Sequence, residues 1–174
     1  MAIQGGIIFA CIAAYFYLKK HQIPVLPFAD TVTPGIILGQ AIGRIANFMN
    51  GDAFGHPTGQ DFGLLYPDTT LAYHTYGAQP LWPAEVWECQ GDLLIFVLLL
   101  WYGCKTRAEG TTFCLYIMFY SLLRFFLENY RGDYGTLALG LKSAQLTSLA
   151  AFAGAFILFL YFHFKHKSKS GISK

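Results

Sequence analysis

The sequence is short of charge. Only 13% of its 174 residues are Asp, Glu, Lys or Arg, about half the share found in an ordinary soluble domain. So few charges cannot cover a water-facing surface, which argues against a soluble globular chain. There is no zinc-type spacing of Cys and His and no Gly-x-Ser-x-Gly elbow, so the pattern calls for neither a metal nor a serine nucleophile. Nothing in it asks for a cofactor. The four cysteines, Cys11, Cys89, Cys104 and Cys114, lie in or beside apolar runs and read as small packing residues. The N-terminus lacks a basic n-region and a cleavage site, and its apolar run ends in Lys19-Lys20, so it is not read as a secretory signal. The net charge is +2, with the basic residues at the ends of apolar segments rather than in a patch; no nucleic-acid partner is expected.

What the chain does have is apolar blocks. Hydrophobic residues make up 55% of it, in runs close to the ~20 residues that carry a helix across a bilayer. The expectation is an all-α, polytopic transmembrane bundle forming one integral membrane domain over residues 1–174. Five spans are expected, at about 3–18, 28–49, 84–102, 111–130 and 143–163, with an irregular outer loop at 50–83 and a basic tail at 164–174. Lysine and arginine bias sets orientation. Lys19, Lys20, Lys105, Arg107 and the Lys165 tail fall on one side, expected to be cytoplasmic, whereas the 50–83 loop has no Lys or Arg at all and is expected to face outward.

This topology gathers the polar residues at one depth. Gln40, Arg44 and Asn47 share a helix face, being three and four residues apart. Tyr120, Arg124, Glu128 and Arg131, spaced 4, 4 and 3, form a stripe on the fourth span, where Glu128 is placed to pair with either arginine. Glu85 and Glu88 open the third span on the same outer side. A guanidinium in an apolar segment costs at least about 2.5 kcal/mol on insertion scales, so these arginines should face protein, water or ligand. One reading is a structural Arg–Glu–Arg network; the other is a site with spare positive charge that grips a phosphate diester in a bidentate fork. The inner halves of the spans carry almost no polar residues, which weighs against a small membrane transporter. Gly35, Gly39 and Gly43 form a small-xxx-small ridge expected to pack against another helix. Asn50-Gly51 is a helix stop, and Asn47 is a candidate to orient Arg44. His56 and His74 read as plain loop residues.

Three segments carry a resemblance. Residues 43–55, Gly-Arg-Ile-Ala-Asn-Phe-Met-Asn-Gly-Asp-Ala-Phe-Gly, resemble the signature of bacterial prolipoprotein diacylglyceryl transferases. Residues 120–131 look like that family's second arginine segment, and residues 79–88 like the segment opening the helix between them. The resemblance implies transfer of the diacylglyceryl group of phosphatidylglycerol to the lipobox cysteine of a prolipoprotein signal-peptide region. The site would lie toward the outer face of the bacterial inner membrane. It also implies roles: Arg44 and Arg124 catalytic, with Arg44, Asn47, Asn50, Gly55, Tyr120, Glu128 and Arg131 binding phosphatidylglycerol. Gln4, Asp52, Glu85 and Glu88 are further candidates. Gln4 stands where the family often has a histidine proposed as base for the thiol, and an amide cannot take that proton. Asp52 replaces the commoner glutamate, Ala46 the commoner glycine, and Trp82 a histidine. The chain begins inside the family's pattern, about two spans in. A phospholipid-binding remnant without activity is therefore the alternative.

Overall fold

The computed structural model describes residues 2–104, 108–132 and 142–171, with side chains except at 2–4, 7–8 and 168–171. Six α-helices account for most of it: α1 (Ala2–Lys20), α2 (Val25–Asn50), α3 (Leu71–Tyr76), α4 (Ala84–Gly103), α5 (Thr111–Leu127) and α6 (Ser143–Gly171). A 3-10 turn, Glu128–Tyr130, extends α5. The described residues contain no β-strand, only isolated antiparallel bridges.

The fold is inside out relative to a soluble protein. Asp30, Glu85, Glu88, Asp92 and Glu128 are buried, while Leu94, Trp101, Leu149, Ile157 and Phe164 lie more than half exposed. Only lipid makes such an exterior favourable, because in water an apolar surface of this extent would associate. Among the described residues, three helices are long and apolar enough to cross a membrane: α2, α5 with its 3-10 extension, and α6 through Lys167. The chain is thus a helical membrane protein. Helices α1 and α4 form where spans were expected, but α4 carries Glu85, Glu88 and Asp92 on its inner face.

Boundaries follow local chemistry. Pro24 precedes the first residue of α2, and Pro27 sits within its first turn rather than outside it, where a missing N–H costs nothing. At the other end Gly51 adopts φ +69°, and its N–H closes on the carbonyls of Asn47 and Phe48, so Asn50-Gly51 ends the helix as expected. The 50–83 segment is less irregular than expected: Thr70 caps the short helix α3 by accepting from the Tyr73 N–H.

Helix α4 packs against both α2 and α5, and α5 packs against α6. Ile37, Ile95 and Leu99 form the core, covered by Phe96, Leu115, Tyr116, Phe119, Tyr120 and Leu123. The close helix approach falls at Gly91, where a Cβ would meet Leu123 Cδ1 at 2.5 Å. The expected Gly35–Gly39–Gly43 packing is not found. Among the described residues, a Cβ at any of the three would have nothing within 4 Å, because α2 turns Ile37 and Ala41 inward instead. Near the opposite end of α2, Asp30 accepts from the N–H groups of Gly110 (2.7 Å) and Phe113 (2.9 Å). It thereby caps the start of α5 from a neighbouring helix.

Candidate functional site

At the other end of the bundle four segments meet around one carboxylate. Glu88, fully buried in α4, accepts from Arg44 Nη2 at 2.8 Å through Oε1. Arg124 Nη1 reaches the same oxygen at 3.3 Å, and Arg131 Nη1 reaches Oε2 at 3.4 Å. Arg124 also turns Nη2 toward Glu128 Oε2 at 3.0 Å, an ion contact without the alignment of a hydrogen bond. The side chains of Arg44 and Arg124 keep 19% and 16% of their surface exposed, against 5% for Arg131. Arg44 and Arg124 each keep an exposed edge, whereas Arg131 is almost wholly enclosed beside Glu88.

Two more acids lie on the same face of α4. Glu85 and Asp92 are fully buried, and both oxygens of each lack a hydrogen-bond partner among the described residues. Glu85 lies in the field of Arg131, Glu88 and Arg44, and Asp92 in that of Glu88, Arg44 and Arg124. The cluster therefore sets three guanidinia against four carboxylates, not the arginine surplus that the sequence suggested. Tyr120 faces the same charges and stacks on Tyr116 with ring centroids 6.1 Å apart. The Tyr116 hydroxyl in turn donates to Gln40 Oε1 at 3.2 Å.

The outer loop holds the Arg131 end in place. Gly55 bridges Arg131 antiparallel, with the His56 N–H donating to Tyr130 O (3.0 Å) and the Gly132 N–H to Phe54 O (3.2 Å). A Cβ at Gly55 would collide with the backbone oxygen of Trp82, so only glycine lets the loop lie against the entry to α4. Lys142 Nζ donates to the carbonyls of Glu128 (2.8 Å) and Arg131 (2.6 Å). Gln145 Nε2 donates to Phe125 O and Asn129 Oδ1. These contacts fix the turn that carries Arg131.

Of the candidates, Arg44, Glu88, Arg124, Glu128 and Arg131 come together, with Glu85 and Tyr120 beside them. Two expectations are corrected. Glu128 contacts Arg124 but Glu88, not Glu128, holds Arg131, because the chain leaves the helix at Arg131 with φ −80° and ψ 136°. Asn47 does not orient Arg44 through a hydrogen bond among the described residues; its carbonyl closes the helix end, accepting from Gly51 and Asp52. Asn50 is exposed and Asp52 half-buried, and neither side chain is joined to the cluster by a described hydrogen bond. The side chain of Gln4 lies outside the described residues, as do residues 133–141. His56 Nδ1 pairs with Pro57 O at 2.9 Å and its ring faces Trp82, while His74 is exposed on α3. Sequence reasoning missed Asp92 and Lys142. Asp92 was signalled by an acid interrupting an apolar run; for Lys142 no local pattern gave notice.

Bundle and cluster together define a class: a helical membrane protein with an arginine–carboxylate network buried at one end and two of its guanidinia open. Residues 1–161 match the family described as prolipoprotein diacylglyceryl transferase, and the chain belongs to that family. It is 37% identical to the phosphatidylglycerol–prolipoprotein diacylglyceryl transferase of Clostridioides difficile (strain 630), across 97% of this chain and 63% of that protein. It is 34% identical to the enzyme of the same name from Corynebacterium efficiens, across 92% of this chain and 53% of the relative. For that of Clostridium botulinum (strain Hall) the identity is 38%, over 86% and 58%. The chain thus spans between about half and two thirds of the length of these relatives.

Proposed function

We propose that this chain, as one membrane domain with five spans, transfers the diacylglyceryl group of phosphatidylglycerol to the lipobox cysteine of prolipoproteins. The observation that carries the reading is the meeting of Arg44 and Arg124, from separate helices, over one carboxylate, each with an open edge. A carboxylate and a phosphate diester offer a guanidinium the same pair of anionic oxygens. Glu88 thus keeps the forks aligned until the lipid phosphate arrives.

The chemistry then follows from charge. The cysteine sulfur bonds to the glyceryl carbon that bore the phosphate, and the carbon–oxygen bond breaks. Glycerol phosphate departs with both electrons of that bond, and the thiol's proton is released to water as the thiolate forms. Negative charge on the phosphate grows from one to two during this step. Arginines already set against it stabilise the transition state more than the ground state. An unperturbed thiol pKa of about 8.5 gives a usable thiolate fraction near neutral pH. With the cluster on the outer face of the inner membrane, lipid and translocated prolipoprotein reach it from the same side.

The test is transfer from labelled phosphatidylglycerol to a lipobox peptide by the purified chain. Arg44→Ala and Arg124→Ala should each lower the rate by roughly 10²–10³-fold, the usual cost of removing one preorganised charge-stabilising donor. Undiminished transfer by both would remove the arginines from the mechanism.

A further inference from the structure

Glu85 is a buried acid without a hydrogen-bond partner at the loop-facing end of a cluster in which Glu88 and Glu128 are paired with arginines. Asp92, about two turns deeper on α4, is likewise without one among the described residues. Its relative exposure is 0%, and neither oxygen has a hydrogen-bond partner among the described residues. Buried polar atoms are almost always satisfied, and leaving one unsatisfied costs about 1–3 kcal/mol. Among the described residues only its own backbone N–H bears on the carboxyl, short of full hydrogen-bond geometry, so the group that completes Glu85 is one the described chain does not supply. The neighbouring charges are committed elsewhere: Glu88 is shared by three arginines and Glu128 is held by Arg124. His56 cannot serve, since its ring faces Trp82 and Pro57.

Position tells what kind of group is missing. Glu85 shares a helix face with Glu88 but lies three residues nearer the N-terminal, loop-facing end of α4, about 4.5 Å along the axis at 1.5 Å per residue. A lipid held by its phosphate at Arg44 and Arg124 points its acyl chains into the bundle's apolar depth and its head group outward. The atoms just beyond the phosphate on the outward side are those of the head-group alcohol. In a glycerol head group these include two adjacent hydroxyls, and a carboxyl group with two unpartnered oxygens is their geometric match.

We propose that Glu85 binds the two hydroxyls of the lipid head group and thereby selects phosphatidylglycerol over phospholipids of equal charge that lack them. The assignment rests on the reading of the cluster as a phospholipid site, and it adds the residue that reads the alcohol beyond the phosphate. A site built to hydrogen-bond a substrate hydroxyl rejects the analogue lacking it far more strongly than shape alone can, because its own polar atoms are then stranded. This interaction is present before and during bond breaking alike, so its loss should raise KM more than it lowers kcat.

The experiment compares phosphatidylglycerol with phosphatidylpropanol, which has the same charge and no hydroxyl. The purified protein and its Glu85→Ala and Glu85→Gln variants are assayed for binding of each lipid by native mass spectrometry, and for transfer to a lipobox peptide. The unaltered protein should prefer phosphatidylglycerol by at least tenfold in both assays. Glu85→Ala should erase that preference, losing affinity for phosphatidylglycerol with little change toward phosphatidylpropanol. Glu85→Gln, which keeps two polar atoms, should retain part of it. Equal losses toward both lipids in Glu85→Ala, or an undiminished preference, would overturn the proposal while leaving the transferase reading intact. Lipid selection without any transfer would do the reverse, upholding Glu85 and sinking the catalytic assignment.

Discussion

Asp30 and Glu85 make an instructive pair. Both are acids buried in an apolar helix, at 5% and 0% exposure, and they sit near opposite ends of the bundle. Asp30 is closed: Gly110 and Phe113 each give it an N–H, and the first turn of α5 is thereby capped. Glu85 is open, in a cluster whose other carboxylates are already taken up, apart from Asp92 about two turns deeper. Burial alone therefore does not mark a functional acid. What separates the two is whether the chain itself answers the buried oxygens.

The difference makes opposite predictions for equivalent changes. The largest effects belong to the open end, where Arg44→Ala and Arg124→Ala should nearly abolish transfer. Glu85→Ala should follow, with its loss confined to lipids bearing head-group hydroxyls. At the closed end, Asp30→Asn removes the charge behind two hydrogen bonds of the stronger, charge-assisted kind, worth roughly 1.5–3 kcal/mol each. It should destabilise the protein by about 2 kcal/mol in a detergent unfolding titration. Transfer per folded molecule should stay close to normal, because Asp30 touches none of the cluster. If Asp30→Asn were as inactive as Arg124→Ala at full stability, the distinction between closed and open acids would fail.

A smaller contrast sharpens the packing account. Gly91→Ala forces a Cβ against Leu123 and should cost about 1–3 kcal/mol, the usual range for overpacking a helix contact. Gly39→Ala meets open space and should be neutral or stabilising by up to about 1 kcal/mol, since alanine is the better helix former. Unfolding midpoints of the two variants measure this directly.

Much of the architecture is legible in the sequence. Apolar blocks of membrane length gave the helices, and Asn50-Gly51 gave the end of α2 to the residue. The convergence of Arg44, Arg124 and Glu128 followed from alternating the spans. Reading one helix at a time misassigned the hub, however. On α5 alone, Glu128 is the acid spaced to pair both of its arginines, whereas Glu88 reaches three guanidinia from another helix. Arg131 escaped the stripe because the α-helix ends before it, and helical spacing says nothing once φ and ψ leave the helical region. The Gly35–Gly39–Gly43 ridge failed for a related reason: small-residue periodicity shows which face allows close approach, not whether a neighbour in this chain takes it. The unsatisfied oxygens of Glu85 and Asp92 were invisible in principle, since satisfaction depends on what every other segment brings.

The central claim is that Arg44 and Arg124 hold one anionic lipid between them. The direct measurement is phosphatidylglycerol binding by the protein, by Arg44→Gln, by Arg124→Gln and by the double variant. Each single change should weaken binding at least tenfold, and the double change should add less than the product of the two, as expected when both groups share one ligand. Full affinity in either single variant, or losses that simply multiply, would contradict a shared grip.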